Sequence, residues 1–164
     1  AKARGAARIG TRPADAKADC VRQDAADEVV NYATHDFAEE SSRLPGGRGI
    51  DLTLDAVGKP TFSNGLKCLA PFGHLILYGS AGGPPDPISP MTLFAKSLKV
   101  SGFVVPMVYS MREIHQRGVE DVFRLAREGQ LTVPIGKRFA LSEAVEAVRF
   151  LELRLSVGTL LLIP

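Results

Sequence analysis

The sequence predicts an α/β protein with a doubly wound parallel sheet, on two observations. Short apolar segments typical of strands alternate with segments of good helix formers, the order produced by right-handed crossovers between parallel strands. Two of the strands, at 50–57 and 74–78, end in glycine, at Gly58 and Gly79. Ligands bind at the carboxyl ends of parallel strands, where glycine lets a flat ligand approach the backbone. This edge is therefore the expected nucleotide site.

The elements expected before these two strands follow the same alternation. They are the end of a helix at 1–4, a strand at 7–11, a helix at 14–23, a strand at 28–32 and a helix at 35–44. Gly5 suits a helix C-cap, Pro13 suits the first turn of a helix, and Thr34 suits an N-cap. A chain that opens on a helix end is expected to have lost the segment before it.

The elements expected after Gly58 begin with a crossover helix and change character beyond Gly83. They are helices at 59–69 and 89–96, an edge strand at 98–103, a long helix at 112–127, an extended segment at 134–140, a helix at 144–153 and a strand at 158–163. Residues 82–87 include three prolines and are expected to form a loop. The edge-strand segment alternates apolar and polar residues, as expected for a strand with one wet face.

Composition excludes several classes of protein. The 164 residues are 45% hydrophobic and 23% charged, which is typical of a globular domain. The 20 basic and 18 acidic residues leave a net charge of +2, too little for a polycationic nucleic-acid surface. Cys20 and Cys68 lack the paired spacing of a zinc site or a disulfide framework. The sequence shows no membrane-length apolar run and no signal-peptide core, so a cytoplasmic protein is expected.

Five sequence motifs together resemble one enzyme family. They are AKARGA at the start of the chain, ADEVVNY at 26–32, GGRGIDLTLDAVG at 46–58, CLAPFGHLILYG at 68–79 and GTLLLIP at the end. With them the chain resembles the carboxyl-terminal half of the zinc-independent quinone oxidoreductases, members of the medium-chain dehydrogenase/reductase superfamily. The resemblance implies a Rossmann-like cofactor domain at 1–103, incomplete at its amino terminus. It also implies a segment at 104–164 that packs on a missing GroES-like catalytic domain.

The resemblance further implies that two surfaces of this chain are covered by other parts of an assembly. Five apolar side chains of the last helix and strand would lack their partner domain: Val145, Val148, Leu151, Leu160 and Leu162. The edge strand at 98–103 would pair with its copy in a second subunit. The expected assembly is therefore a homodimer.

The cofactor implied by the resemblance is NADPH. In a dinucleotide domain the second strand ends beside the adenosine ribose, where an acidic residue selects NADH. This chain has Arg12 at that position and no carboxylate before Asp15. Lys17 and Tyr32 match the lysine and the tyrosine that lie beside the 2'-phosphate in the family. Arg12, Lys17 and Tyr32 are therefore candidate phosphate contacts, and exposed residues at helix starts are the alternative interpretation.

A second group of candidates lies at the two glycine-tipped strands. The resemblance implies that Gly58, Tyr78, Gly79 and Ser80 bind the cofactor, the glycines near its nicotinamide half, where backbone atoms make the contacts. Ser80 and the residue after it offer backbone amides there. The alternative is that the glycines only serve tight turns. Asp55, just before the first glycine, is expected to accept hydrogen bonds from local backbone donors rather than to act on a ligand.

Neither a catalytic triad nor a metal site is predicted. His35, His74 and His115 are far apart in sequence and fit surface positions better than metal ligation or general-base work. In the superfamily, hydride passes directly between nicotinamide and substrate, so the cofactor carries the chemistry. Tyr109 and Met111 resemble positions near the family's substrate cleft, although packing at the entry of the long helix also explains them.

The function implied by the resemblance is NADPH-dependent hydride transfer to a quinone or a related enone or carbonyl substrate, without zinc. The alternative, from a different class, is a non-catalytic nucleotide-binding or interaction remnant, since the chain has no pyrophosphate-binding turn. A methyltransferase fits less well, because the tail helix and the final strand have no place in it. A titration with NADPH and NADH separates the first two hypotheses.

Overall fold

The computed structural model describes residues 5–7, 9–12, 27–31, 39, 47–153 and 156–164. Their strands are β1 (Ile9–Arg12), β2 (Glu28–Asn31), β3 (Ile50–Asp55), β4 (Leu69–Leu77), β5 (Lys99–Gly102), β6 (Ile135–Ala140) and β7 (Thr159–Ile163). Their helices are α1 (Phe62–Lys67), α2 (Pro90–Phe94), α3 (Val105–Tyr109), α4 (Arg112–Arg127) and α5 (Ala144–Glu152), with a short 3-10 helix at Leu141–Glu143. The chain divides into two compact units, Val30–His115, and Ala1–Val29 with Gln116–Pro164.

The unit Val30–His115 is built on a parallel sheet of strand order β3-β4-β5. Leu54 of β3 lies opposite Ile76 of β4, and Leu77 of β4 lies opposite Gly102 of β5. A helix lies between each strand and the next along the chain, α1 before β4 and α2 before β5. This order confirms the predicted α/β class with parallel strands.

The core of this unit forms where α1 packs on the sheet. Phe62 and Leu66 lie one turn apart on α1 and are buried, and Leu69 and Leu75 of β4 are fully buried against them. Gly65 allows the close packing, because a Cβ at this position would lie 3.0 Å from Leu75 Cδ1. Burying four such side chains contributes about 6–12 kcal/mol of hydrophobic free energy, at about 1.5–3 kcal/mol each.

The beginning of β4 differs from the sequence-based expectation. The pattern predicts a helix that Pro71 and Gly73 close, whereas both residues lie inside β4. They are accommodated by an irregularity, since the β3–β4 register shifts between Ile50 and Leu52. Phe72 has a φ of 64° there, a left-handed conformation that is uncommon outside glycine.

The predicted edge strand is confirmed as β5, which pairs with β4 on one side. In the part of the chain that the structure describes, no strand pairs with its other side. The apolar residues that follow do not continue the strand but form α3, with Pro106 in the first turn, where a missing amide hydrogen costs nothing. β5 therefore has an open hydrogen-bonding edge among these residues.

α4 has the predicted bounds, and Gly129, with a φ of 67°, follows its end as expected for a C-cap. On its surface Arg124 donates to Asp121 at 3.0 Å and to Glu128 at 3.2 Å. The hydrogen bond to Asp121 is the main cause that raises the pKa of Arg124, so the guanidinium stays charged. Within the described ranges, no helix combines the length and the apolar character that a membrane span requires.

The other unit contains the parallel pair β6-β7 and α5. Phe139 of β6 is buried, its ring centroid lies 6.0 Å from that of Phe150 in α5, and Lys137 Nζ lies 4.5 Å from the Phe139 centroid. Lys137 Nζ also lies 5.0 Å from the centroid of the Phe150 ring, and this cation–π contact and the ring pair hold α5 to the strands. Of the five apolar side chains singled out from sequence, Leu160 is half-buried and four are exposed: Val145, Val148, Leu151 and Leu162.

Candidate functional site

The loop after β3, residues 55–61, is held by one buried carboxylate, and we call this loop the first tip. Asp55 is 5% exposed, and its Oδ1 accepts hydrogen bonds from the amides of Val57 at 2.8 Å and Gly58 at 3.1 Å and from the Thr61 hydroxyl at 2.9 Å. The Gly58 carbonyl accepts the Phe62 amide at 2.8 Å, where α1 begins. The expectation that Asp55 serves local backbone donors is confirmed.

The loop after β4, residues 78–83, is joined to the first tip, and we call it the second tip. Four backbone hydrogen bonds link the two loops: Tyr78 N to Asp55 O at 2.8 Å, Ala81 N to Ala56 O at 3.1 Å, Gly82 N to Val57 O at 2.7 Å and Lys59 N to Gly83 O at 2.9 Å. Donors come from both loops, so neither is positioned independently of the other. The two tips form one framework at the carboxyl edge of the parallel sheet.

At both predicted glycines the two tips approach each other too closely for a side chain. Gly58 has a φ of 87°, and a Cβ added there would overlap the Gly83 carbonyl oxygen. A Cβ at Gly79 would lie 2.8 Å from the Ala56 carbonyl oxygen. Glycine is therefore required at both positions by the approach of the tips to each other, whether or not a ligand is bound.

The second tip presents two unused hydrogen-bond donors. The amides of Gly79 and Ser80 donate to no acceptor among the described residues. The Ala81 amide, which was also expected to be available, donates to Ala56 instead. The Tyr78 side chain is 51% exposed. The second tip can therefore offer two adjacent N–H groups and an aromatic ring to a flat polar ligand.

An apolar surface follows the neighbouring strand at the same edge. The Phe103 amide donates to the Leu77 carbonyl at 2.9 Å, which brings the residues after β5 beside the end of β4. The side chains of Phe103, Val104 and Val105 are each about half exposed, at 47%, 57% and 50%. The edge thus combines backbone donors with apolar area, the usual composition of a small-molecule site.

The side chains of the three candidates for the 2'-phosphate lie outside the described residues. Arg12 is the last residue of β1, and its side chain lies outside the described residues. Lys17 and Tyr32 lie outside them entirely. The other four candidates all lie on the two tips.

Thr61 and Gly83 belong to the framework but were not singled out from the sequence. Thr61 occupies the N-cap position of α1 without capping it, because its hydroxyl donates to Asp55. A threonine at the start of a helix predicts an N-cap, in which its side chain accepts a hydrogen bond from a backbone amide of that helix. The sequence therefore predicts a partner for Thr61 other than the observed one, Asp55. Gly83 has a φ of 99°, and only the preceding glycine and the prolines after it marked it as a turn residue.

The described histidines are used in packing and hydrogen bonding. His74 Nε2 lies 2.8 Å from Ser101 Oγ across β4 and β5. The His115 ring packs edge-on against Tyr109, with centroids 5.1 Å apart. His35 lies outside the described residues. Among the residues that are described, no group of three or more His, Cys, Asp or Glu is placed to hold a metal ion.

Comparison with known proteins adds a family to this geometry. A family model described as zinc-binding dehydrogenase matches residues 25–162. The chain is 34% identical to a 2-haloacrylate reductase of a Burkholderia species, over 98% of this chain and 49% of the relative. It is 33% identical to a quinone oxidoreductase of Pseudomonas aeruginosa, over 100% of this chain and 51% of the relative.

Solved structures give the same result. The quinone oxidoreductase of Escherichia coli complexed with NADPH matches with a TM-score of 0.86 and 28% identity, over 99% of this chain and 51% of that one. A mycobacterial quinone oxidoreductase matches with a TM-score of 0.84 and 32% identity, over 98% of this chain and 50% of that one. The chain spans about half the length of the curated relatives it matches.

Proposed function

The chain belongs to the zinc-binding dehydrogenase family, and on that premise we propose that it forms the cofactor-binding part of an NADPH-dependent oxidoreductase. The proposed reaction is hydride transfer to a quinone or a related enone or carbonyl compound. The observation that carries the proposal is the framework of two joined tips at the carboxyl edge of a parallel sheet, whose Gly79 and Ser80 amides donate to no acceptor in the part of the chain that the structure describes. Open α/β sheets bind nucleotides at this edge.

The roles proposed for the tip residues follow from the groups they expose. When bound, NADPH supplies the hydride, while the protein binds and orients it. The amides of Gly79 and Ser80 are donors suited to the carboxamide oxygen of the nicotinamide, and Tyr78 offers a ring against which the cofactor can pack. Gly58 contributes by keeping the two tips in contact.

Selection of NADPH over NADH is proposed for Arg12, Lys17 and Tyr32. Two cations and a phenol hydroxyl suit a 2'-phosphate, and charge-assisted hydrogen bonds to phosphate are among the stronger ones in proteins. No carboxylate is present before Asp15 to bond the free ribose hydroxyls of NADH. Two relatives have been solved as complexes with NADPH, which supports the same cofactor here.

The proposed substrate class is what the substrates of two relatives, a 2-haloacrylate reductase and a quinone oxidoreductase, have in common. A quinone and a 2-haloacrylate both contain a carbon–carbon double bond conjugated with a carbonyl group, and such a bond accepts hydride at carbon. The half-exposed side chains at 103–105 suit a flat, largely apolar molecule such as a quinone. That zinc takes no part is carried over from the resemblance to zinc-independent enzymes. Unchanged activity after chelation, with no zinc found by elemental analysis, would support it.

The extent of each domain and the location of the protein are also proposed. Residues 1–103 are proposed to belong to the nucleotide domain, and residues 104–164 to pack on a catalytic domain that covers the exposed apolar side chains of α5 and β7. The paired-cysteine patterns of secreted proteins are absent from the sequence, which favours the cytoplasm.

We further propose a homodimer in which the strands at 98–103 of two copies pair at the open edge of β5. Amides of successive strand residues point to opposite sides, and the Phe103 amide points to β4, so the Gly102 amide points to the open edge. Gly102→Pro removes that amide and is expected to yield monomers by light scattering. Gly102→Ala keeps the amide, has open space for its Cβ and should stay dimeric. A dimer in both variants would count against edge pairing.

Titration of the full chain with NADPH and NADH, followed by nicotinamide fluorescence, tests the central proposal. NADPH is expected to bind more tightly than NADH. Lys17→Ala should weaken NADPH binding by about tenfold or more, since a charge-assisted hydrogen bond contributes about 1.5–3 kcal/mol, and should leave NADH unaffected. Equal affinities for the two nucleotides would contradict the proposed 2'-phosphate site. If neither nucleotide bound, the proposed function would be wrong.

A further inference from the structure

The two oxygens of the buried Asp55 carboxylate differ in their hydrogen bonding. Its Oδ1 accepts from Val57, Gly58 and Thr61, whereas its Oδ2 is buried without any hydrogen-bond partner among the described residues. No cation pairs with it in that part of the chain either. Burying a carboxylate without a counterion is costly, so a purely stabilising role explains it poorly. The hydrogen bonds that Oδ1 accepts are better explained by the backbone conformation that they impose on the first tip.

That geometry extends from the first tip to the second. By binding Val57, Gly58 and Thr61, Oδ1 sets the direction of the carbonyls that precede Gly58. Two of these carbonyls, of Ala56 and Val57, accept the amides of residues 81 and 82, on the far side of the second tip. Tyr78 is anchored on the near side by the Asp55 carbonyl. The free amides of residues 79 and 80 lie between these anchors.

We infer that Asp55 and Thr61 are positioning residues for the cofactor: their hydrogen bond holds the first tip, which holds the second tip with the Gly79 and Ser80 amides facing the ligand. This inference rests on the proposed function, because NADPH is the ligand assumed. Neither side chain needs to touch the cofactor. Thr61 is 6% exposed, so its hydroxyl reaches the ligand only through Asp55 and the two tips.

The test removes one donor and keeps the shape. Thr61→Val lacks the hydroxyl and is expected to weaken NADPH binding about tenfold, which corresponds to about 1.4 kcal/mol. Thr61→Ser restores the donor and should bind within about twofold of the unaltered chain. Thr61→Ala removes the same donor with a smaller side chain and replaces the valine variant if that variant does not fold. Ser101→Ala, which removes the 2.8 Å bond to His74 in the same sheet, is the control for general destabilisation.

Amide resonances of Gly79 and Ser80 in nitrogen–proton NMR spectra of the ligand-free chain give a second readout, independent of NADPH. Thr61→Val is expected to shift both resonances, whereas Ser101→Ala should leave them in place. Unchanged affinity and unchanged resonances in Thr61→Val would overturn the inference, as would an equal loss of affinity in Ser101→Ala. If the unaltered chain does not bind NADPH, the proposed function fails, and the resonances alone decide whether the two residues position the second tip.

Discussion

Replacing Gly58 by alanine tests whether the two tips meet as closely as the structure shows. Gly58 has a φ of 87°, and a residue with a side chain loses about 1–2 kcal/mol in this conformation. The added Cβ would overlap the Gly83 carbonyl oxygen, which already accepts the Lys59 amide at 2.9 Å. Relieving the overlap separates the tips, and each hydrogen bond lost costs about 1 kcal/mol. The expected loss of unfolding free energy is about 2–4 kcal/mol.

Gly83→Ala is the matched control for this variant. Gly83 also has a positive φ, of 99°, but among the described residues its Cβ would meet only Lys59 Cβ, at an ordinary 4.0 Å. The control therefore incurs the conformational term alone, about 1–2 kcal/mol. Urea unfolding followed by circular dichroism measures both losses as shifts of the midpoint. Equal losses in the two variants would refute the close approach of the tips, because only Gly58→Ala introduces an overlap.

Three further predictions concern packing and capping, each measured by urea unfolding. Leu75→Ala should cost about 2–5 kcal/mol because Leu75 is fully buried, whereas Leu54→Ala, at a side chain 61% exposed, should cost less than about 1 kcal/mol; similar values would contradict the described core. Phe139→Ala should cost about 3–5 kcal/mol, and Lys137→Ala, which removes the cation–π contacts with Phe139 and Phe150, about 0.5–1 kcal/mol for each contact. Ser89→Ala removes the N-cap of α2 and should cost about 1 kcal/mol, while Ser89→Asp keeps an acceptor and should cost less.

The sequence predicted those elements whose signals are local. α4 has its predicted bounds because its amphipathic pattern and a terminal glycine define it. The helix predicted from residue 59 begins only at Phe62, because Gly58 and Thr61 donate to Asp55 and the Lys59 amide donates to Gly83. α3 was not predicted, since its apolar residues look like the end of a strand until Pro106 is recognised as a first-turn residue.

The sequence predicted at which edge of the sheet the candidate site lies, but it did not predict which residues contact each other there. Glycine at a strand end is a local signal, and at Gly58 and Gly79 it coincides with a close approach of the two tips to each other, while the contact of these glycines with a cofactor stays a prediction. The partners of these glycines, Gly83 and Ala56, depend on the register of β3 against β4, which joins residues more than about 20 positions apart and is set by tertiary packing. For the same reason the sequence around Thr61 predicts a helix N-cap and not the observed hydrogen bond from its hydroxyl to Asp55.

The way in which the two tips hold each other determines how a ligand at this edge would gain affinity. Their bonds are internal to the chain, so the Gly79 and Ser80 amides are oriented before any ligand arrives. Binding to donors that are already ordered avoids the entropy cost of fixing a loop, and the hydrogen bonds contribute to affinity nearly in full. A loosened first tip would leave the same amides available but mobile, and each binding event would then have to order them. A substitution of Thr61, a buried residue of the first tip, is therefore expected to lower the affinity for the cofactor and not the stability alone.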